Sequence, residues 1–152
     1  MNILAQDGLL VDPLLYQKIL VPIDGSEYSI RALQEAIKVA KMTSGAITLV
    51  HAYPTGSSVV MSSKQPFYDS LQDNGKTLLA TGKKLAETEG VSVETLLVEG
   101  EAVQRIVETA KAGNFELIVI GARGLSKLSG LILGSVSQGV IKEAPCPVLV
   151  TR

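Results

Sequence analysis

Short hydrophobic runs alternate with amphipathic segments along most of the chain. Three of the runs are continuous in valine, isoleucine and leucine, which is typical of strands buried on both faces of a parallel sheet. The five strands that this pattern predicts are Lys18–Ile23, Ala46–Tyr53, Val91–Val98, Glu116–Gly121 and Pro147–Thr151.

The segments between these strands have the spacing of amphipathic helices. The apolar faces expected to be buried are Ile30, Leu33, Ile37 and Ala40 in the first, Leu71, Leu78, Leu79, Leu85 and Ala86 in the second, and Val103, Ile106, Val107 and Ala110 in the third. Each of these helices is predicted to end at a glycine in the left-handed conformation: Gly45, Gly90 and Gly113. A shorter fourth helix is expected to begin near Gly134 and to stop before Pro145.

Strand–helix alternation that closes on a strand predicts a three-layer α/β domain with a five-stranded, mainly parallel sheet. Its commonest doubly wound strand order is 3-2-1-4-5. We expect residues 18–152 to form this single domain, after an N-terminal extension at 1–17. Residues 54–67 are rich in Ser, Gly and Pro, and we expect them to form either a mobile flap or a disordered loop.

The composition of the chain argues against several classes of site, partner and location. One cysteine excludes a disulfide framework, and no cluster of residues has the spacing of a metal site, so no metal ligands are assigned. The net charge of −1 and an aromatic content of 4% argue against nucleic acid as a partner. No apolar run is long enough to cross a membrane and the first residues lack the pattern of a signal peptide, so a cytoplasmic location is expected.

The low charge content predicts that part of the surface is covered in an oligomer. Charged residues make up 19% of the chain, below the roughly 25% of typical domains. The last predicted strand is expected at a sheet edge, where Val148, Leu149 and Val150 carry none of the charges that usually protect edges. A homodimer that pairs these edges is therefore expected.

Ligands of open α/β sheets bind at the carboxyl ends of strands, where the strand order reverses. In the expected order, the loop after the first strand, with Asp24, lies beside the loop after the fourth, with Gly121 and Gly124. Glycines let backbone N–H groups approach phosphate oxygens, and Gly134 followed by Ser135 then begins a helix whose N-terminus favours anions. The sequence thus predicts a phosphate site. The alternative is that the same glycines and serine only form a turn and cap the following helix.

Side chains around this loop fit an anionic ligand. Ser135 and Ser137 can supply hydroxyl donors, while Arg123, Lys127 and Lys142 lie in a stretch without carboxylates. The pattern is neither a P-loop nor a dinucleotide fingerprint, because the required lysine and the Gly-x-Gly-x-x-Gly spacing are missing.

Three single residues have competing roles. Asp24 could bind a ribose hydroxyl, an adenine amine or Mg²⁺, or either Asp24 or Ser26 could cap the following helix. His51, on a buried strand without a nucleophile motif, is expected to be structural or to form a wall. Cys146 is expected to be a small buried residue that begins the last strand. We assign no catalytic residue.

In these motifs the sequence resembles the universal stress protein family, in its ATP-binding branch. The matching pieces are KILVPIDGS at 18–26, LVHAY at 49–53, and IGARG with GSVSQGVIKEAPCPVLV between 120 and 150. The branch pattern Gly-2x-Gly-9x-Gly-Ser is complete as Gly121, Gly124, Gly134 and Ser135. Branches without this pattern share the fold but do not hold ATP.

The resemblance implies a Rossmann- or flavodoxin-like domain of the adenine nucleotide alpha hydrolase type that binds ATP, with Mg²⁺ carried by the nucleotide, commonly as a homodimer. The residues that it assigns to the nucleotide are Pro22, Ile23, Asp24, Ala52, Ile120, Gly121, Arg123, Gly124, Gly134, Ser135, Val136 and Ser137. Ala52 would meet the adenine through its backbone. The implied role is nucleotide-dependent signalling in stress adaptation; a slow ATPase or phosphotransferase, and a structural dimer without nucleotide, are the alternatives.

Overall fold

A five-stranded parallel sheet flanked by helices forms the body of the protein. The structure, a computed structural model, describes residues 3–4, 10–11, 15–55, 65–125 and 133–152. The sheet strands are β3 (Lys18–Pro22), β4 (Ala46–Tyr53), β5 (Val93–Glu99), β6 (Leu117–Gly121) and β7 (Val148–Thr151). The helices are α1 (Glu27–Thr43), α2 (Gln65–Thr88), α3 (Ala102–Ala112) and α4 (Ser135–Glu143).

The strand order is β5-β4-β3-β6-β7, and every neighbouring pair in this sheet is parallel. Counted along the main sheet alone, this is the predicted order 3-2-1-4-5. The order reverses between β3 and β6, so the loops after these two strands lie side by side, as expected. Within residues 1–17, β1 (Ile3–Leu4) and β2 (Leu10–Val11) form a separate antiparallel pair.

The sheet divides the core into two layers because successive strand residues point to opposite faces. Ile19 and Val21 of β3 belong to the layer beneath α1 and α2, while Leu20 belongs to the layer beneath α3 and α4. Leu20, Val21 and Ile118 are completely buried. This explains why the central strands are continuously apolar rather than alternating.

The buried face of α2 differs from the predicted leucine stripe. Leu79 and Ala86 are buried as predicted, but Leu71 and Leu78 are only half-buried and Leu85 is 36% exposed. Gly75 and Gly82, which the prediction did not include, face the sheet. A β-carbon on Gly82 would come within 2.9 Å of Leu49 Cδ1. The two glycines therefore bring α2 close to the sheet, and Leu71, Leu78 and Leu85 lie at the margin of the contact.

Two of the three predicted left-handed helix ends are shifted by one residue. Gly90 has the expected positive φ of 80°, but Ser44 (φ 56°) and Asn114 (φ 50°) take this conformation in place of Gly45 and Gly113. Gly45 and Gly113 are needed for space instead, because a β-carbon would collide with the Tyr16 carbonyl and the Phe115 ring, respectively.

Smaller differences concern the boundaries of elements. β5 begins at Val93 rather than Val91, Ile23 follows β3, and α2 already begins at Gln65, inside the segment expected to be irregular. Residues 56–64 of that segment lie outside the described residues. None of the helices in the described ranges is long and apolar enough to cross a membrane.

Candidate functional site

A cavity of about 300 Å³ opens at the carboxyl edge of the sheet, where the strand order reverses. It lies between the ends of β3, β4 and β6 and the first turns of α3 and α4. All twelve residues that the family resemblance assigns to a nucleotide line it: Pro22, Ile23, Asp24, Ala52, Ile120, Gly121, Arg123, Gly124, Gly134, Ser135, Val136 and Ser137.

One wall of the cavity is apolar and includes residues that sequence reasoning missed. Val50, Ala102 and Ile106 lie there beside Ile120. The sequence predicts Ile106 only as a core residue, because a helical stripe does not show which of its residues reach an open edge. The sequence around the start of α3 contains no motif that would have indicated a ligand there.

The competing roles of Asp24 and Ser26 are separated by the structure. Ser26 caps α1: its Oγ accepts a hydrogen bond from the Ser29 N–H at 3.2 Å. Asp24 does not cap the helix with its side chain; its Oδ1 accepts a hydrogen bond from the Ser26 N–H at 2.9 Å. Asp24 is the only carboxylate among the residues that line the described cavity.

The three glycines of the loop pattern have different surroundings. A β-carbon on Gly121 would lie 2.7 Å from the Tyr28 carbonyl carbon, so this glycine lets β6 pack against α1. A β-carbon on Gly124 would lie 2.7 Å from Asp24 Oδ2. Gly134 is in ordinary contact only, and its N–H donates to the Ala122 carbonyl at 2.7 Å.

The N-terminus of α4 faces this cavity without a side-chain cap. Gly134 is the N-cap residue, and Ser135, Val136 and Ser137 form the first turn and line the cavity. The first N–H groups of a helix have no partner within the helix and attract anions. The α1 N-terminus differs, because the Ser26 hydroxyl already accepts one of its N–H groups.

The Ser137 hydroxyl is used within the protein. Ser137 is only 3% exposed, and its Oγ donates to the Gly121 carbonyl at 2.7 Å. The Ser137 hydroxyl proton is therefore held by β6 and not directed at a ligand, which corrects the expectation that this hydroxyl is a donor for a phosphate. Ser137 ties the start of α4 to the end of β6.

Positive charge at the cavity comes from Arg123. It is half-buried, and no ion pair among the described residues involves it. Lys142 lies in the last turn of α4, away from the cavity lining, and Lys127 lies outside the described residues. The expected cationic stretch thus contributes one side chain to the described lining.

His51 and Cys146 have distinct positions. His51 lines the cavity, and its Nδ1 lies 2.7 Å from the Ile23 carbonyl oxygen. Because a carbonyl only accepts, Nδ1 carries the proton in this contact.

Cys146 is half-buried and precedes β7 rather than beginning it, and burial raises the pKa of its thiol. Within the described ranges, no group of His, Cys, Asp and Glu is placed to hold a metal ion.

Comparison with known proteins gives a consistent result for sequence and fold. The model of the universal stress protein family matches residues 15–152. A universal stress protein of Methanocaldococcus jannaschii is 38% identical over 141 residues, which are 91% of this chain and 83% of that protein. The solved structure of the universal stress protein UspA from Lactobacillus plantarum superposes with a TM-score of 0.81 at 26% identity, covering 91% of this chain and 99% of the other.

Two similar structures were solved with a nucleotide. A universal stress protein in complex with cAMP has a TM-score of 0.72 and 28% identity, covering 90% of this chain and 97% of the other. One from Archaeoglobus fulgidus in complex with dAMP has a TM-score of 0.68 and 25% identity, covering 91% and 99%. The matched family model, the sequence identity and the shared sheet order lead to one conclusion: this chain belongs to the universal stress protein family.

Proposed function

We propose that the cavity binds ATP and that the protein changes its state or its partner with nucleotide occupancy. The observation that carries this proposal is the uncapped N-terminus of α4, which lies beside Arg123 at one end of a cavity whose other wall is apolar. A base and ribose need apolar walls with a few polar groups, and phosphates need N–H donors and positive charge. The complexes of relatives with cAMP and dAMP support an adenine nucleotide.

The proposed orientation places the two ends of the nucleotide at different elements. Adenosine would lie on Pro22, Ile23, Asp24, Ala52 and Ile120. The residues proposed for ribose and phosphates are Gly121, Arg123, Gly124, Gly134, Ser135, Val136 and Ser137. Ser137 would take part through its backbone N–H, because its hydroxyl donates to the Gly121 carbonyl. Asp24 is the only carboxylate of the described lining, and it lies against Gly124 of the phosphate side, so it stands where the two ends of the nucleotide join. Because Mg²⁺ prefers oxygen ligands, this carboxylate would hold a magnesium ion carried by the phosphates.

Titration calorimetry with ATP, AMP and adenosine tests the proposal. We expect the order ATP, AMP, adenosine in falling affinity, because each phosphate adds contacts to α4 and Arg123. Arg123→Gln should weaken ATP binding about tenfold and leave adenosine binding unchanged. Lys142→Gln is the matched control, since it removes a cation of the same segment that lies outside the cavity lining. Failure of ATP to bind, or equal losses in both variants, would contradict the proposal.

Phosphate release from ATP, measured on the same samples, distinguishes a binding protein from an enzyme. Binding without steady release supports a nucleotide-dependent switch. Steady release that Asp24→Asn abolishes would instead favour the slow ATPase or phosphotransferase, because a carboxylate that holds Mg²⁺ contributes to phosphoryl transfer.

We further propose a homodimer through the edge strand β7. Its outer residue Leu149 is 40% exposed, and Val148 and Val150 lie beside it. Leu149→Asp should shift the protein from dimer to monomer in light scattering at micromolar concentration. Leu96→Asp is the matched control, because Leu96 lies on the opposite edge strand β5 and is 39% exposed. A monomeric unmodified protein would exclude this interface.

A further inference from the structure

Strand β4 continues past the end of β3. The hydrogen bonds between β4 and its two neighbouring strands show toward which neighbour each of its N–H and C=O groups points. In a parallel sheet, alternate residues of a strand hydrogen-bond to opposite neighbours. The Ile47 N–H donates to Ser92 at 2.9 Å and the Tyr53 carbonyl accepts from Gly100 at 2.8 Å, both on the β5 side. The Val50 carbonyl accepts from Ile23 at 2.9 Å, on the β3 side.

Ala52 is the next residue of β4 that faces β3, but β3 has ended at Pro22. A regular continuation of the ladder would let the Ala52 N–H donate to the Ile23 carbonyl. Among the described residues, none accepts this N–H and none outside the β4 ladder donates to the Ala52 carbonyl, and Ala52 lines the cavity. The Ile23 carbonyl is instead directed at His51 Nδ1, which lies 2.7 Å away.

The imidazole ring reaches this position because α2 leaves room for it. A β-carbon on Gly75 would lie 2.8 Å from His51 Cδ2 and 2.7 Å from Leu97 Cδ1. Glycine at this point of α2 therefore makes space for the ring against β4. The helix, the ring and the carbonyl form one packed unit beside the cavity.

We infer that His51 is a positioning residue: by holding the Ile23 carbonyl, it keeps the N–H and C=O groups of Ala52 free to read the edge of the bound base. This inference rests on the proposed nucleotide site and adds a source of base selectivity to it. Adenine offers a ring-nitrogen acceptor beside an amino donor, which complements a free N–H and C=O pair. Hypoxanthine offers the opposite pattern, so it should be rejected.

Hydrogen exchange of the Ala52 amide, followed by NMR without nucleotide, tests the positioning step alone. We expect fast exchange in the unmodified protein. His51→Leu releases the Ile23 carbonyl, so the Ala52 N–H should pair with it and exchange at least about tenfold more slowly. His51→Asn, whose amide can donate from nearly the same place as Nδ1, should keep fast exchange. Slow exchange in the unmodified protein would overturn the inference by itself, whether or not the variants fold.

The ratio of AMP to IMP affinity tests the consequence for the site. It should favour AMP in the unmodified protein, fall about five- to tenfold in His51→Leu, and be restored in His51→Asn. A merely structural role would weaken both nucleotides equally. If AMP binds and the ratio does not change in His51→Leu, the inference is wrong while the proposed function stands. If no nucleotide binds, the proposed function fails together with the base-reading step, and amide exchange alone decides whether His51 holds Ala52 free.

Discussion

Gly124 lies against the carboxylate of Asp24: a β-carbon on Gly124 would come within 2.7 Å of Asp24 Oδ2. Two loops that are 100 residues apart in the sequence are thereby in contact in the lining of the cavity. The glycine of the loop pattern thus has a steric role toward a side chain, in addition to any approach of its own N–H to a ligand.

Gly124→Ala should therefore lower ATP affinity about tenfold, because the new methyl group displaces the Asp24 carboxylate. In a protein that already carries Asp24→Ala, the same change should have little further effect, since there is no carboxylate left to displace. Calorimetry on the four proteins of this double-mutant cycle measures the coupling. Additive losses would show that Gly124 acts independently of Asp24.

Gly121→Ala should reduce the stability of the fold. The added β-carbon would meet the backbone of Tyr28 at 2.7–2.8 Å, and backbone cannot move aside as a flexible side chain can. We expect a loss of about 1–3 kcal/mol in the free energy of unfolding, measured with urea. Gly134→Ala, where the nearest atom is 3.4 Å away, serves as the control and should cost less than about 1 kcal/mol. Equal losses would refute the close contact between β6 and α1.

Ser26→Ala should destabilise the protein by about 1 kcal/mol, because it removes the acceptor for the Ser29 N–H at the start of α1. The Ser26 N–H that holds Asp24 belongs to the backbone and remains in the variant. Urea unfolding should report the loss, and ATP affinity should be unchanged. Ser70→Ala, in an exposed position of α2, is the control for stability. A large fall in ATP affinity would mean that capping and binding are not separate.

Lys41→Met should return the pKa of Glu89 to its ordinary range. The Lys41 ammonium donates to Glu89 Oε2 at 2.5 Å, and this hydrogen bond, followed by charge attraction, lowers the pKa of Glu89. A lowered pKa means that the contact stabilises the fold above the ordinary pKa of the carboxyl and is lost as the pH falls through the lowered value.

NMR titration of the Glu89 carboxyl carbon measures this change directly. The difference in urea midpoint between the unmodified protein and Lys41→Met should also shrink between about pH 7 and pH 3, and with added salt. Lys38→Met, on the same helix but paired with Glu35, is the control and should leave the pKa of Glu89 unchanged. An unaltered titration in Lys41→Met would contradict the assignment.

The fold class and the place of the cavity follow from the sequence because they depend on local properties. Hydrophobic period and the order of elements predict the parallel sheet, and the commonest order of doubly wound sheets is the strand order that the structure has. The reversal of that order places the loops with Asp24 and Gly124 together, whatever the details of packing. The helix from Ser135 to Glu143 was equally predictable, since Gly134 precedes it and Pro145 follows it.

Only the tertiary structure decided which role each of these residues has. The roles depend on distances between residues that are far apart in the chain, and the sequence pattern does not show these distances. The apolar spacing of α2 could not show that Gly75 and Gly82 face the sheet instead of Leu85. The sequence likewise predicted Ser137 as a hydroxyl donor and gave His51 a structural or wall role, but only packing directs the Ser137 hydroxyl to Gly121 and the His51 ring to Ile23. Hydrogen bonds between segments far apart in sequence are set by the final close packing of the layers, whereas the pattern along the chain sets the layers themselves.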